Sequence, residues 1–134
     1  MNLRKQLFFV AFSFLTIGLL FAQKSEVIPD GVVKAIKTSD VNELALSFND
    51  NIEIVLPGKT GVYSRSQAEM IIKDFFNRQP VKDFAIIHEG KKENASFAIG
   101  NYSSDSGNFR FTFLTKSDGT KVLIHQLRIE KQDE

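Results

Sequence analysis

The sequence predicts an α+β domain in which a few helices cover one face of an antiparallel sheet. Three features lead there. Between Gly107 and Lys131, Phe109, Phe111 and Phe113 alternate with Arg110 and Thr112, and Asp118-Gly119 then turns the chain into Val122 to Ile129. This is the period of two expected of paired strands with one apolar and one wetter face, joined at an Asp-Gly turn. Such a ribbon needs a cover. Ala68, Ile71, Ile72, Phe75 and Phe76 supply one, recurring at helical spacing behind a Ser64-Arg65-Ser66-Gln67 capping box, on a helix of about three turns. The third feature is the order of elements: two short helices, a strand with a small hairpin partner, the capped helix, then four antiparallel strands.

Taken in order, Gln23 to Ile28 is a lead-in. Pro29 suits a first helical turn, and Val32, Ala35 and Ile36 fall on one side of a short helix ending near Lys37. Asp40 caps a second helix, whose stripe is Val41, Leu44, Ala45 and Phe48. Asn49-Asp50-Asn51 is expected to be a turn, Ile52 to Leu56 a strand stopped by Pro57-Gly58, and Gly61-Val62-Tyr63 a very short partner strand. After the capped helix, Pro80 precedes a strand from Asp83 to Glu89. Gly90 to Asn94 reads as a polar turn, Ala95 to Tyr102 as a strand, and Ser103 to Gly107 as another turn. There is no internal repeat and no long linker, so 134 residues make one domain.

Met1 to Ala22 reads as a signal peptide: Arg4 and Lys5, then an apolar run from Leu7 to Phe21, then Ala22 as a small residue for cleavage. The run falls short of the roughly 20 residues of a spanning helix, although an uncleaved anchor has a similar pattern. Cleavage after Ala22 leaves Gln23 to Glu134 as the domain, with no stable membrane insertion. It also removes two of the 17 basic residues, leaving 15 to face 16 acidic ones. That balance argues against a nucleic-acid partner, which calls for a basic surplus. Lys91-Lys92 is the only adjacent basic pair in that domain and suits a solvated hairpin tip. The absence of Cys excludes disulfides, thiolate metal sites, a cysteine nucleophile and a lipoprotein anchor. An exported protein without disulfides fits a bacterial periplasmic or extracellular setting. Asn94-Ala95-Ser96 and Asn101-Tyr102-Ser103 match the glycosylation pattern and, in that setting, are chance matches.

Ala35-Ile36-Lys37, Phe75-Phe76, His88-Glu89-Gly90, Ala98-Ile99-Gly100 and the run Leu123 to Glu130, set in this order of elements, carry a resemblance. The chain resembles the nuclear-transport-factor-2-like (NTF2-like) superfamily. Within it, the chain is similar to a family of short exported bacterial proteins known only as a domain of unknown function. The resemblance implies a strongly curved sheet wrapped around the long helix as a cone. It carries over no catalytic residue. Enzymes of this architecture, such as ketosteroid-isomerase-like proteins, use an Asp or His base inside the cone with a Tyr or protonated acid as oxyanion donor.

Alternation places His125 on one face with Leu123, Leu127 and Ile129. If that face is inward, desolvation keeps the imidazole neutral, making His125 the candidate base or ligand contact, or else a satisfied core histidine. His88 shares a face with Phe84 and Ile86 and could line the cone or its rim. In the superfamily's strand order the two histidines lie on separated strands, and no acidic residue stands at the spacing needed to complete a metal triad with either. Tyr63, before the capped helix, and Tyr102, at a strand end, are candidate hydroxyl donors to a ligand at the mouth, or else cover the core edge. Gly58-Lys59-Thr60-Gly61 lacks the spacing and helix of a P-loop, and neither a serine elbow nor a dinucleotide fingerprint occurs, so no cofactor is expected. Arg110, Gln126, Arg128 and Glu130 form a polar band on the opposite face, either a solvated surface or a homodimer contact. The expected function is a non-catalytic module of the cell envelope binding a small apolar ligand or a protein partner. The alternatives are a small isomerase or hydrolyase with His125 as base, and a structural homodimer with a filled cone.

Overall fold

A computed structural model describes residues 27–133. The signal peptide expected at Met1 to Ala22 lies outside them. The elements run α1 (Val32–Lys37), α2 (Val41–Ala45), β1 (Phe48–Leu56), β2 (Lys59–Ser64), α3 (Arg65–Arg78), β3 (Val81–Lys92), β4 (Ala95–Ser104), β5 (Gly107–Ser117) and β6 (Val122–Gln132). The strands form a six-stranded sheet in the order β2-β1-β6-β5-β4-β3. All neighbours are antiparallel except β1 and β6, which run parallel. The histidine-bearing strands β3 and β6 are separated by β4 and β5, as the resemblance implied.

Local chemistry sets the helix starts. The Asp40 side chain accepts the Glu43 amide at 3.1 Å. At α3 the box is reciprocal: Ser64 Oγ accepts the Gln67 amide at 3.3 Å, and Gln67 Oε1 accepts the Ser64 amide at 3.2 Å. Two free N–H groups are thereby satisfied where the chain leaves β2, so α3 starts at a defined angle across the sheet. Arg65 reinforces that angle by donating to the Phe48 carbonyl at 3.1 Å and pairing with Asp50 at 3.0 Å.

The core is the aromatic contact between α3 and the sheet. Phe75 packs edge-on to Phe109 at 5.1 Å and against Phe111 at 5.9 Å, while Phe76 stacks on Tyr102 at 5.9 Å. Phe113 reaches the cluster through Phe84 and Phe111. β5 alternates without interruption, so Phe109, Phe111, Phe113 and Thr115 are all buried. The start of the domain is drawn into the same layer, where the Thr115 hydroxyl donates to the Val27 carbonyl at 2.7 Å.

Several expectations need correction. Asn49, Asp50 and Asn51 belong to β1: Asn51 pairs opposite Ser64 of β2, and Asn49 and Asp50 fall in the irregular stretch between the Phe48–Ile124 and Glu53–Gln126 pairs with β6. Phe48 is buried in that strand opposite Ile124 and is not part of α2. β2 covers six residues, and β3 continues through Gly90 to Lys92, leaving Glu93-Asn94 as the turn. The largest correction concerns β6. Its register against β5 shifts between the pairs Leu114–Gln126 and Thr115–Ile124, so His125 is an extra residue in a β-bulge. The phase of the strand changes there, and Ile124, Leu127 and Ile129 form the buried row.

Candidate functional site

Among the described residues the aromatic side chains of the interior pack ring against ring. Phe75, Phe76, Phe84, Tyr102, Phe109, Phe111 and Phe113 form one contiguous cluster of rings. The only buried polar or charged residues among those described, apart from Tyr102, are Ser104 and Thr115. Two of the larger depressions beside the core are one of about 540 Å³ against Ile28, Pro29, Val33 and Ile86, and a groove between α3 and the β1–β2 hairpin that holds one of the candidate tyrosines. The groove encloses about 420 Å³ and is lined by Leu56, Pro57, Lys59 and Tyr63 from the hairpin and by Gln67, Met70, Ile71, Asp74 and Arg78 from the helix.

Each side of the groove follows from local structure. Tyr63 pairs opposite buried Ile52, and Gly61 opposite buried Ile54, so both lie on the core side of β2. A Cβ on Gly61 would stand 3.0 Å from both Cζ and the hydroxyl oxygen of Tyr63, so the ring lies along the strand only because residue 61 has no side chain. The helix contributes positions 67, 70, 71, 74 and 78, which share a face at a period of 3.6. Met70 is 72% exposed, an unusual place for a long apolar side chain, whereas Asp74 and Arg78 pair with each other at 3.0 Å. The groove thus has an apolar floor, a flexible thioether wall and a mixed-charge rim. The Tyr63 hydroxyl can hydrogen-bond a ligand. The lining contains no imidazole.

The four residues singled out from sequence occupy four different environments. Tyr63 lines the groove. Tyr102 is fully buried, stacked on Phe111 at 4.8 Å, and its hydroxyl donates to the Gln79 carbonyl at 2.5 Å. Burial pushes that hydroxyl up to about 12, so Tyr102 is a core residue and not a donor at a mouth. His88 does not share a face with Phe84 and Ile86: the register shifts between the Ile86 and His88 pairs, and the imidazole is exposed beside Phe97 at 5.5 Å. His125 is half-buried in a surface depression with Asn49, Asn94 and Lys116, not among core side chains. Burial and then the neighbouring Lys116 charge lower its proton affinity. Among the described residues no three His, Cys, Asp or Glu side chains converge as a metal site would require.

Sequence reasoning missed the groove-lining residues of α3. Their signal was present as a second stripe at helical spacing, hidden because Ile71 was counted with the core face; it is half-buried and borders both.

A curved sheet, helices on one face and this connectivity define an NTF2-like domain. An NTF2-like protein of unknown function from Shewanella baltica shares the fold at 17% identity, with 76% of this chain and 86% of that chain covered and a TM-score of 0.58. More narrowly, residues 29–130 match the family described as a domain of unknown function, DUF4783, and the chain belongs to that family. The crystal structure of a DUF4783 family protein from Bacteroides ovatus is similar at 33% identity, covering 82% of this chain and 100% of that chain, with a TM-score of 0.77. A second, from Bacteroides uniformis, is 32% identical over 80% of this chain and 99% of that chain, with a TM-score of 0.74. No curated protein matches the chain in sequence.

Proposed function

We propose that this protein is an exported bacterial module of the cell envelope that binds a small, largely apolar ligand without transforming it. The binding surface in this reading is the groove between α3 and the β1–β2 hairpin. One observation carries it: a partly apolar space of about 420 Å³ opens beside the aromatic cluster, against the Tyr63 hydroxyl and the exposed Met70 side chain. A volume of that order suits a small molecule held by apolar walls and oriented by a few polar groups. The binding reading is supported over the isomerase alternative, with His125 as base, by the surface depression and β6 bulge at which His125 lies.

A thermal-shift screen of small apolar compounds tests the proposal, because a ligand of the native state raises apparent stability. Hits should lose their shift in Met70→Lys, a change at an exposed position, while the unliganded melting temperature stays near wild type. Absence of hits across a broad library, or hits indifferent to Met70→Lys, would defeat it.

A homodimer through the outer face of the sheet is the second reading. Phe97 pairs with Leu114, and Ile99 with Thr112, on the face opposite the Phe row, and Leu114 is 41% exposed. Sedimentation of wild type and Leu114→Lys tests it. Dimers that dissociate in the variant support it, and a wild-type monomer at all concentrations rules it out.

A further inference from the structure

The opposite end of β1 from the groove holds another depression, of about 370 Å³, where β1 begins and the β5–β6 hairpin turns. Three segments meet there under backbone control. The Ser117 amide donates to the Asn94 carbonyl at 3.1 Å, and the Ile124 amide to the Ser47 carbonyl at 2.8 Å. The hairpin tip is fastened by Asp118, whose Oδ1 accepts the Thr120 hydroxyl at 2.7 Å and the amides of Thr120 and Lys121 at 2.9 and 3.0 Å.

Lys116, Lys121, His125, Asn49 and Asn94 line the depression on this frame. The bulge in β6 takes His125 out of the inward row, the kind of re-aiming for which bulges recur beside functional sites. Neither Lys116 nor Lys121 forms an ion pair with a carboxylate among the described residues. Asp118 is the one anion in the lining, and its ionised carboxylate is bonded back into its own turn, with the Thr120 hydroxyl as the main cause of a pKa lowered to about 2. Two ammonium groups therefore outnumber the local negative charge, beside an imidazole and two carboxamides, of which Asn49 gives one of its two Nδ2 hydrogens to the Asn51 carbonyl at 3.0 Å and keeps the other.

We propose that this depression binds a small oxyanion, of the phosphate or carboxylate class, between Lys116 and Lys121, with His125 and the Asn49 and Asn94 carboxamides as donors. A bound anion offsets the Lys116 field at His125, so by linkage it raises the imidazole's proton affinity, and protonation of His125 tightens the anion. The charged groups lining the site with His125 are Lys116, Lys121 and Asp118.

The chain has two histidines, which supply both a probe and a reference. Ring-proton NMR titrations of the domain with inorganic phosphate, and separately with acetate, are run at constant ionic strength. Saturable movement of His125 with at least one anion, and a higher His125 pKa in its presence, is the expected result, with His88 unmoved. The double variant Lys116→Gln/Lys121→Gln should weaken the anion roughly tenfold, while Lys82→Gln, on β3 beside Asp105, should leave the titration unchanged. Parallel, non-saturating drift of both histidines, or wild-type saturation in the double variant, would overturn the site.

Discussion

The two tyrosines mark two regions built by the same helix in opposite ways. Tyr102 sits where Phe75 and Phe76 of α3 meet β4 and β5, between stacked rings, with its hydroxyl committed to the Gln79 carbonyl. Tyr63 sits where the next face of α3 passes the β1–β2 hairpin, half-exposed along a groove walled by Met70 and rimmed by Lys59, Asp74 and Arg78. One face of the helix is saturated with contacts and the adjacent face is not. A hydroxyl bonded inside a filled core serves stability; a hydroxyl beside open apolar space remains available to a ligand.

That contrast can be broken experimentally, starting where the effect should be greatest. Phe111 touches Phe75, Phe84, Tyr102 and Phe113, so Phe111→Ala should open a cavity and cost about 3–5 kcal/mol, read as a lower urea midpoint at similar slope. A small loss would mean that the cluster is not the core. Gly100 lies beneath Phe84, and an added Cβ would stand 2.5 Å from that ring. Gly100→Ala should therefore cost about 1–3 kcal/mol through overpacking; no measurable change would show that the Phe84 ring moves freely.

Tyr102→Phe should cost about 1 kcal/mol near neutral pH, because the Gln79 carbonyl loses its donor. Its pH signature is sharper. Burial raises the tyrosine from 10.0 to about 12, so its stabilising contribution is complete below pH 10.0 and is lost as pH rises through about 12. Denaturant midpoints measured up that range should fall less steeply in Tyr102→Phe than in wild type, and identical slopes would refute the assignment. The smallest effect belongs to the groove, where Met70→Lys should change stability by no more than about 0.5 kcal/mol. Loss of a ligand's thermal shift in that variant would separate the two regions cleanly.

The fold was legible because its strongest signals are periodic. The capping box at Ser64 and Gln67 and the uninterrupted alternation of β5 both appear in the structure where residue spacing placed them. The candidate site was much less legible, for a specific reason. Alternation assigns a face only while register holds, and shifts next to His88 and at His125 displaced both imidazoles from the rows they were expected to join. Nothing in Leu123 to Leu127 announces an inserted residue, since Leu and Ile suit either phase. The choice for Tyr102 between ligand donor and cover of the core edge stayed open because its partner is a backbone carbonyl 23 residues away, at the end of α3. Such a bond depends on tertiary closure and leaves no local pattern.

The parallel seam between β1 and β6 has a consequence for how the molecule is made. Among the described residues the first strand lies beside the last, so during synthesis the β1–β2 hairpin waits, one edge bare, until β6 emerges. Loss of the final eleven residues in strand, Val122–Gln132, would cut the sheet into a hairpin and a three-stranded remnant and not merely shorten it. Nascent chains are therefore at greatest risk of pairing with one another just before β6 joins the sheet, when the unmet edge of β1 has been exposed longest.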